Sequence, residues 1–216
     1  MKYGLIGATG KMGKAIAEAF GGHELCLAVD SKGEYLDGLP DVIVDFSRPS
    51  ALPRTIELCR RHHAGLVMGT SGLTEGDLDT LRELGRELPV IQSYNFSVGI
   101  AVLSMILKEF SPLLRDWDSE MVEIHHNQKV DAPSGTALLL KESLGRDINI
   151  SSLRIGGVPG DHSVLFSNSG EVVTLTHRAI SRKVFALGAL KAALFVTSKE
   201  SGFYSFEEVV KCELKK

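Results

Sequence analysis

Along the first half of the chain, short apolar runs alternate with longer stretches whose apolar residues recur every three or four positions. Residues 3–6, 25–29, 41–45, 65–68 and 90–91 are runs of strand length. Between them, Ala15, Ile16, Ala19 and Phe20 fall at helical spacing. So do Leu52, Ile56 and Cys59 within 50–61, and Leu78, Leu81, Leu84 and Leu88 around 75–87. Strands alternating with helices predict an α/β fold with a parallel, doubly wound sheet, whose ligands sit at the carboxyl ends of the strands.

The pattern changes after residue 97. Residues 98–114 read as a helix that is apolar on most of its surface, and Met121, Val122 and Ile124 as a short buried strand. A helix follows through residue 144. Residues 154–160 form a glycine-rich segment, and 162–166 and 171–177 read as strands paired around the turn Asn168-Ser-Gly170. Residues 181–196 form a long amphipathic helix carrying Val184, Leu187, Leu190, Leu194 and Phe195. This composition predicts a second α+β domain over 97–189, its sheet suited to a subunit contact. Residues 1–96 and 190–216 make the first domain.

The 216 residues carry a net charge of −3, and the only basic runs, Arg60-Arg61 and Lys215-Lys216, are too short for the basic stripe of a nucleic-acid binder. Cys26, Cys59 and Cys212 form no CxxC pair and no metal-ligand spacing, so they read as reduced thiols of a cytoplasmic protein, and no metal is expected. The most apolar run, 98–107, is too short to span a bilayer.

Gly7-Ala-Thr-Gly-Lys-Met-Gly13 joins the first strand to the first helix. Glycines so spaced let backbone N–H groups approach a pyrophosphate, and the helix N-terminus then faces that charge. Asp30 ends the second strand, placed to hydrogen-bond a ribose 2′-hydroxyl and to repel a 2′-phosphate; a turn or cap residue is the plainer alternative. Ser31 and Lys32 soften that preference. The candidate cofactor residues at the strand ends are Gly7, Ala8, Thr9, Gly10, Lys11, Met12, Asp30, Gly69, Thr70, Ser71, Ser93, Tyr94, Asn95 and Phe96.

The densest chemistry lies in Glu123-Ile-His-His-Asn-Gln-Lys-Val-Asp-Ala-Pro-Ser-Gly-Thr-Ala137. Ser134 is a good N-cap, with Gly135 and Thr136 in the first turn. The N–H groups of that turn, Lys129 and His126 make a seat for a carboxylate or phosphate. His125 stands beside it as the proton-transfer group. A capped helix after a solvated loop would explain Ser-Gly-Thr alone, but not the whole cluster. His162 and His177 read as structural, and Arg178 and Arg182 are assigned no role.

Together these residues resemble the dihydrodipicolinate reductase family. The specific part is Glu-x-His-His-x-x-Lys-x-Asp-Ala-Pro-Ser-Gly-Thr-Ala over 123–137. The similarity extends to the 7–13 loop, Asp45-Phe-Ser-Arg-Pro49, Gly69-Thr-Ser-Gly72, Asn95-Phe-Ser-Val-Gly99, Arg154-x-Gly, His177-Arg-Ala179 and Ser181-Arg182. The resemblance implies a Rossmann-type domain binding NADH or NADPH and a second domain that binds substrate and builds a homotetramer. It implies His125 as proton donor or acceptor and Lys129 as proton donor. Lys129 also belongs to the substrate site, and His126, Ser134, Gly135 and Thr136 hold substrate carboxylate. The implied reaction is reduction of a cyclic dicarboxylate in lysine and diaminopimelate biosynthesis, in the cytoplasm. Two departures stand out: the segment between Asp30 and Asp41 is short for the family, and Asp30-Ser31 stands where many members have an acid followed by arginine. The expectation is dual use, with NADH at least as good as NADPH. A nucleotide-sensing module would have no need of His125 and Lys129. A semialdehyde dehydrogenase would need a cysteine nucleophile near the candidate site, where the sequence has none.

Overall fold

Strands and helices alternate as the apolar pattern requires: β1 (Lys2–Ile6), α1 (Lys11–Ala19), β2 (Glu24–Asp30), β3 (Gly33–Leu36), β4 (Val42–Asp45), α2 (Leu52–His62), β5 (Gly65–Met68), α3 (Glu75–Leu84) and β6 (Pro89–Gln92). There follow α4 (Val98–Phe110), β7 (Asp118–His125), α5 (Gly135–Leu144), β8 (Asn149–Arg154), β9 (Gly160–Ser167) and β10 (Val172–Ala179). The chain closes with α6 (Lys183–Val196), β11 (Gly202–Tyr204) and α7 (Phe206–Glu213). This computed structural model describes residues 1–213. It divides into one unit of Met1–Phe96 with the chain from Lys183 onward, and a second of Ser97–Arg182. The sequence places the return to the first domain at residue 190, but the first unit takes in all of α6.

In the first unit the strands run β11-β6-β5-β4-β1-β2-β3. All neighbours are parallel except β2 and β3, which pair antiparallel across the turn at Ser31-Lys32. The sequence reading missed β3, because every residue of Gly-Glu-Tyr-Leu is exposed and carries no burial signal. Ile6, Leu27, Ile43, Leu66, Met68 and Val90 form one face of the core with Leu52, Ile56, Leu58 and Cys59 of α2 and Leu81 and Leu84 of α3. Helix α6 packs on α1 and on β4, β5 and β6. Its buried side is small, Ala186, Gly188, Ala189, Ala192 and Ala193. A Cβ at Gly188 would lie 1.6 Å from the Phe96 carbonyl oxygen, so only glycine seats the helix there.

Beneath the carboxyl edge of this sheet lies the fully buried Asp45. One oxygen accepts from Ser47 N at 2.9 Å, Ser47 Oγ at 2.6 Å and Thr70 Oγ1 at 3.0 Å, and the other from Thr55 Oγ1 at 2.6 Å. One carboxylate thus ties the loops after β4 and β5 to helix α2, and the donors satisfy its burial.

In the second unit the strands run β10-β9-β7-β8. β7 pairs parallel with β8 and antiparallel with β9. Helices α4 and α5 cover one face, where Met121, Val164 and Phe166 meet Ile100, Leu103, Ala137 and Leu140. The alternate residues form the other face, and Leu153 and Val172 on it are 43% and 62% exposed. The sequence reading also missed β8, whose Asn-Ile-Ser-Ser-Leu-Arg is half hydroxyl and amide. The helix expected over 98–114 ends at Phe110 and tightens into a 3₁₀ turn over Ser111–Leu114, because Pro112 has no N–H to continue the α-helical ladder.

Candidate active site

The first unit builds a cradle at the carboxyl ends of β1 and β2. Gly7 has φ +80° and donates its N–H to Val29 O at 2.7 Å. Helix α1 then begins after Gly10 with no acid in its first turn, which leaves its N-terminal N–H groups and partial positive charge to an anion. A Cβ at Gly13 would lie 2.2 Å from Gly7 O, so loop and helix touch backbone to backbone. Beside them opens a cavity of about 510 Å³ that brings together Gly7, Thr9, Gly10, Lys11, Met12 and Asp30. One Asp30 oxygen accepts from Lys32 N at 2.7 Å, so this residue shapes the β2–β3 turn while its other oxygen remains for a ribose hydroxyl. The glycine loop, the helix end and the acid fit the pyrophosphate and adenosine ribose of a nicotinamide nucleotide.

Other expected cofactor residues have duties of their own. Thr70 is buried, donating to Asp45 and accepting from Ser47 N at 2.9 Å. Ser93 Oγ donates to Asn95 O at 2.7 Å within its loop. Phe96 is packed between Phe46 and Phe206 at ring distances of 5.2 and 5.0 Å. Ser71 is exposed, while Gly69, Tyr94 and Asn95 are half-buried or buried; none of 69–71 or 93–96 lines the glycine-loop cavity. Arg48, which carries no role in the sequence reading, does line it. Its carbonyl accepts from Ala51 N at 3.0 Å, and among the described residues its guanidinium makes no hydrogen bond or ion pair. Its place just past β4, at the same carboxyl edge, was the available signal.

The second unit gathers its chemistry on the helix-covered face of the sheet. Glu123 and His125 lie two apart on β7 and so share that face. Across the ladder Glu123 sits opposite His162 on β9, His162 opposite His177 on β10, and His125 opposite Arg154 on β8. Glu123 is fully buried: Oε2 takes a short hydrogen bond from His125 Nδ1, and Oε1 takes one from Arg154 Nη2 at 2.8 Å. Burial pushes the Glu123 carboxyl up, but hydrogen bonds led by that from Arg154 overcome it and hold it at about 2. Burial lowers His125, and the Glu123 carboxylate opposes that shift.

His162 packs edge-on against His125 at 5.1 Å and bonds through Nε2 to Ser134 Oγ at 3.2 Å. Burial drives its pKa down to about 3. His177 bonds likewise to Ser97 Oγ at 3.0 Å, and burial lowers it too. Ser97 and Ser134 are the N-caps of α4 and α5, so each histidine anchors the start of one helix. Ser134 Oγ also accepts from Ala137 N at 3.1 Å, while Gly135 and Thr136 form the first turn of α5, as expected. Lys129 is paired with Asp131 at 2.7 Å, and His126 is half-buried at the end of β7. Burial raises Asp131, but the Lys129 ammonium outweighs it and keeps the carboxyl below its ordinary value. Donor atoms of Glu123, His125 and His162 lie within 4.8 Å of one another. Both Glu123 oxygens are already engaged and a guanidinium lies against them, which makes this a proton-handling group rather than a cation seat.

A dihydrodipicolinate reductase N-terminus model matches residues 21–96, and a dihydrodipicolinate reductase C-terminus model matches residues 99–210. A 4-hydroxy-tetrahydrodipicolinate reductase of Thermosipho africanus is 51% identical, the match covering 98% of each chain. One from Zymomonas mobilis is 40% identical over 97% of each. A dipicolinate-bound dihydrodipicolinate reductase from a Paenisporosarcina species shares the fold at a TM-score of 0.74, with 22% identity over 96% of this chain and 98% of its own. With both family models matched in tandem and half the residues identical to a full-length relative, the chain belongs to the dihydrodipicolinate reductase family.

Proposed function

We propose that this chain catalyses the NAD(P)H-dependent reduction of 4-hydroxy-tetrahydrodipicolinate to tetrahydrodipicolinate, releasing water, in lysine and diaminopimelate biosynthesis. The observation that carries the reading is the buried Glu123–His125 pair, in the same unit as Lys129 and the capped N-terminus of α5. The nicotinamide, when bound, supplies the hydride. His125 delivers a proton through Nε2, since its Nδ1 is committed to Glu123. Lys129 leaves Asp131 to meet the substrate, stabilising developing negative charge or donating a proton. The N–H groups of Gly135 and Thr136, with Ser134 and His126, hold a ring carboxylate.

NADH serves at least as well as NADPH. Asp30 favours a free 2′-hydroxyl, while Arg48 and Lys11 in the same cavity meet a 2′-phosphate, which supports dual use. The enzyme works as a homotetramer in the cytoplasm, where its three free thiols stay reduced. Parallel steady-state assays with freshly generated synthase product test the reading. Both nucleotides are oxidised, and His125→Ala lowers the rate by roughly 10²–10⁴ through loss of general acid catalysis. Nucleotide binding without oxidation of either form overturns it.

A further inference from the structure

Glu123 and Arg154 form the most demanding arrangement in the second unit, a fully buried carboxylate with one oxygen committed to a histidine and the other to a guanidinium. We propose that Glu123 is a positioning residue for proton transfer, fixing the tautomer and direction of the His125 imidazole, and that Arg154 holds Glu123 and the Lys129–Asp131 segment in one arrangement. This rests on the reading of His125 as the proton donor.

The geometry follows from strand register. The two-residue period of β7 sets Glu123 beside His125, and parallel pairing brings Arg154 of β8 opposite His125. From there Arg154 Nη2 reaches Glu123 Oε1 and also the backbone oxygen of Asp131. A carboxylate only accepts, so His125 Nδ1 must carry the hydrogen, and Nε2 becomes the atom that exchanges a proton with substrate. A carboxylate at this depth needs a compensating charge, and Arg154 supplies it. The planar guanidinium satisfies two acceptors in fixed directions, which an ammonium does not. The charged and titratable groups around His125 are Glu123 on its own strand, Arg154 on β8, His162 on β9, and Lys129 with its partner Asp131 in the loop after β7. The first turn of α5 adds none.

The test measures kcat, KM and the pH profile of kcat for Glu123→Gln, Arg154→Met and Arg154→Lys. A proton donor loses activity as pH rises through its pKa, and the Glu123 charge is what raises that value. Glu123→Gln therefore moves the alkaline limb to lower pH and reduces kcat roughly 10- to 100-fold, with KM little changed. Arg154→Met removes the opposing cation and moves the limb to higher pH. Arg154→Lys keeps the charge, so the limb stays in place while kcat falls; this variant stands in if the methionine form does not fold. ¹⁵N NMR of the His125 ring reads the tautomer without turnover, and Nδ1–H is expected in the unsubstituted protein. An Nε2–H tautomer there, or a Glu123→Gln enzyme that loses activity with its pH limb unmoved, overturns the inference. Failure of the unsubstituted protein to reduce the dicarboxylate would instead overturn the function, and the NMR result would still decide the role of Glu123.

Discussion

A histidine that is neutral because it is buried makes acid stability a property of single residues. The folded value of His162, about 3, lies below the ordinary value of about 6.5 expected in the unfolded chain. Its contribution is therefore complete above the unfolded value and is lost as pH falls toward the folded one, at about 1.4 kcal/mol per pH unit for one proton. His125 and His177, also lowered, steepen the loss. Glu123, held at about 2, adds to it only below its ordinary carboxylate value. Urea titrations between about pH 6.5 and 4.5 should show this slope. His162→Gln, whose amide can still hydrogen-bond Ser134 Oγ, should remove about one proton's share of it; an unchanged slope would assign the titration elsewhere. What was legible at this scale was what lies close along the chain. His125, Lys129 and the Ser134 cap fall within fifteen residues, whereas Glu123 and Arg154 are 31 apart and meet only through the register of β7 and β8. His162 reads as a lone structural histidine until β9 brings it to Ser134, 28 residues away.

Among the elements, those with a run of apolar residues announced themselves, while the edge strand β3 and the hydroxyl-rich β8 did not. β1, β2, β4, β5 and β6 each supply buried apolar residues to a two-sided sheet, so short apolar runs sufficed to find them. The exposed edge β3 and the hydroxyl-rich β8 are held by their neighbours rather than by their own composition. The glycine loop was legible as a motif, and the structure adds why its third glycine is fixed. A Cβ at Gly13 would meet Gly7 O at 2.2 Å and Ala8 O at 2.6 Å, both backbone atoms that yield only if the loop opens. Gly13→Ala should cost about 1–3 kcal/mol in stability by overpacking. It should also weaken NADH binding, measured by fluorescence titration, by about tenfold or more as the N–H groups lose their aim. Gly22→Ala is the control: nothing lies within 4 Å of the added carbon, and a change within about 0.5 kcal/mol is expected. Equal effects from the two substitutions would remove the steric account of the loop.

At the scale of the whole molecule, the break between the units near residue 97 was visible as a change of pattern, because strands alternating with helices give way to paired strands. The return was set at residue 190 because no change of periodicity marks the start of α6; its allegiance to the first unit shows only in packing on α1 and β5. The outer face of the second sheet was legible only as a sheet suited to subunit contact. There Val122, Ile124 and Leu165 are half-buried with no helix of their own unit over them, and Leu153 and Val172 are exposed beside them. An antiparallel or mixed sheet can leave one face to water, but a face with this many branched apolar residues gains by burial against a copy of itself. Two-fold pairing of such faces is the simplest closed arrangement, and a pairing of pairs would build the tetramer proposed above. Sedimentation equilibrium should therefore report four chains. Leu165→Arg places a charge on that face without touching the helix-covered core, so it should lower the assembly state while the far-ultraviolet circular dichroism stays that of the unsubstituted protein. A protein that sediments at the mass of one chain before any substitution would leave this face to solvent, and the proposed proton donor His125 on the opposite side of the sheet would have to work without support from a neighbouring subunit.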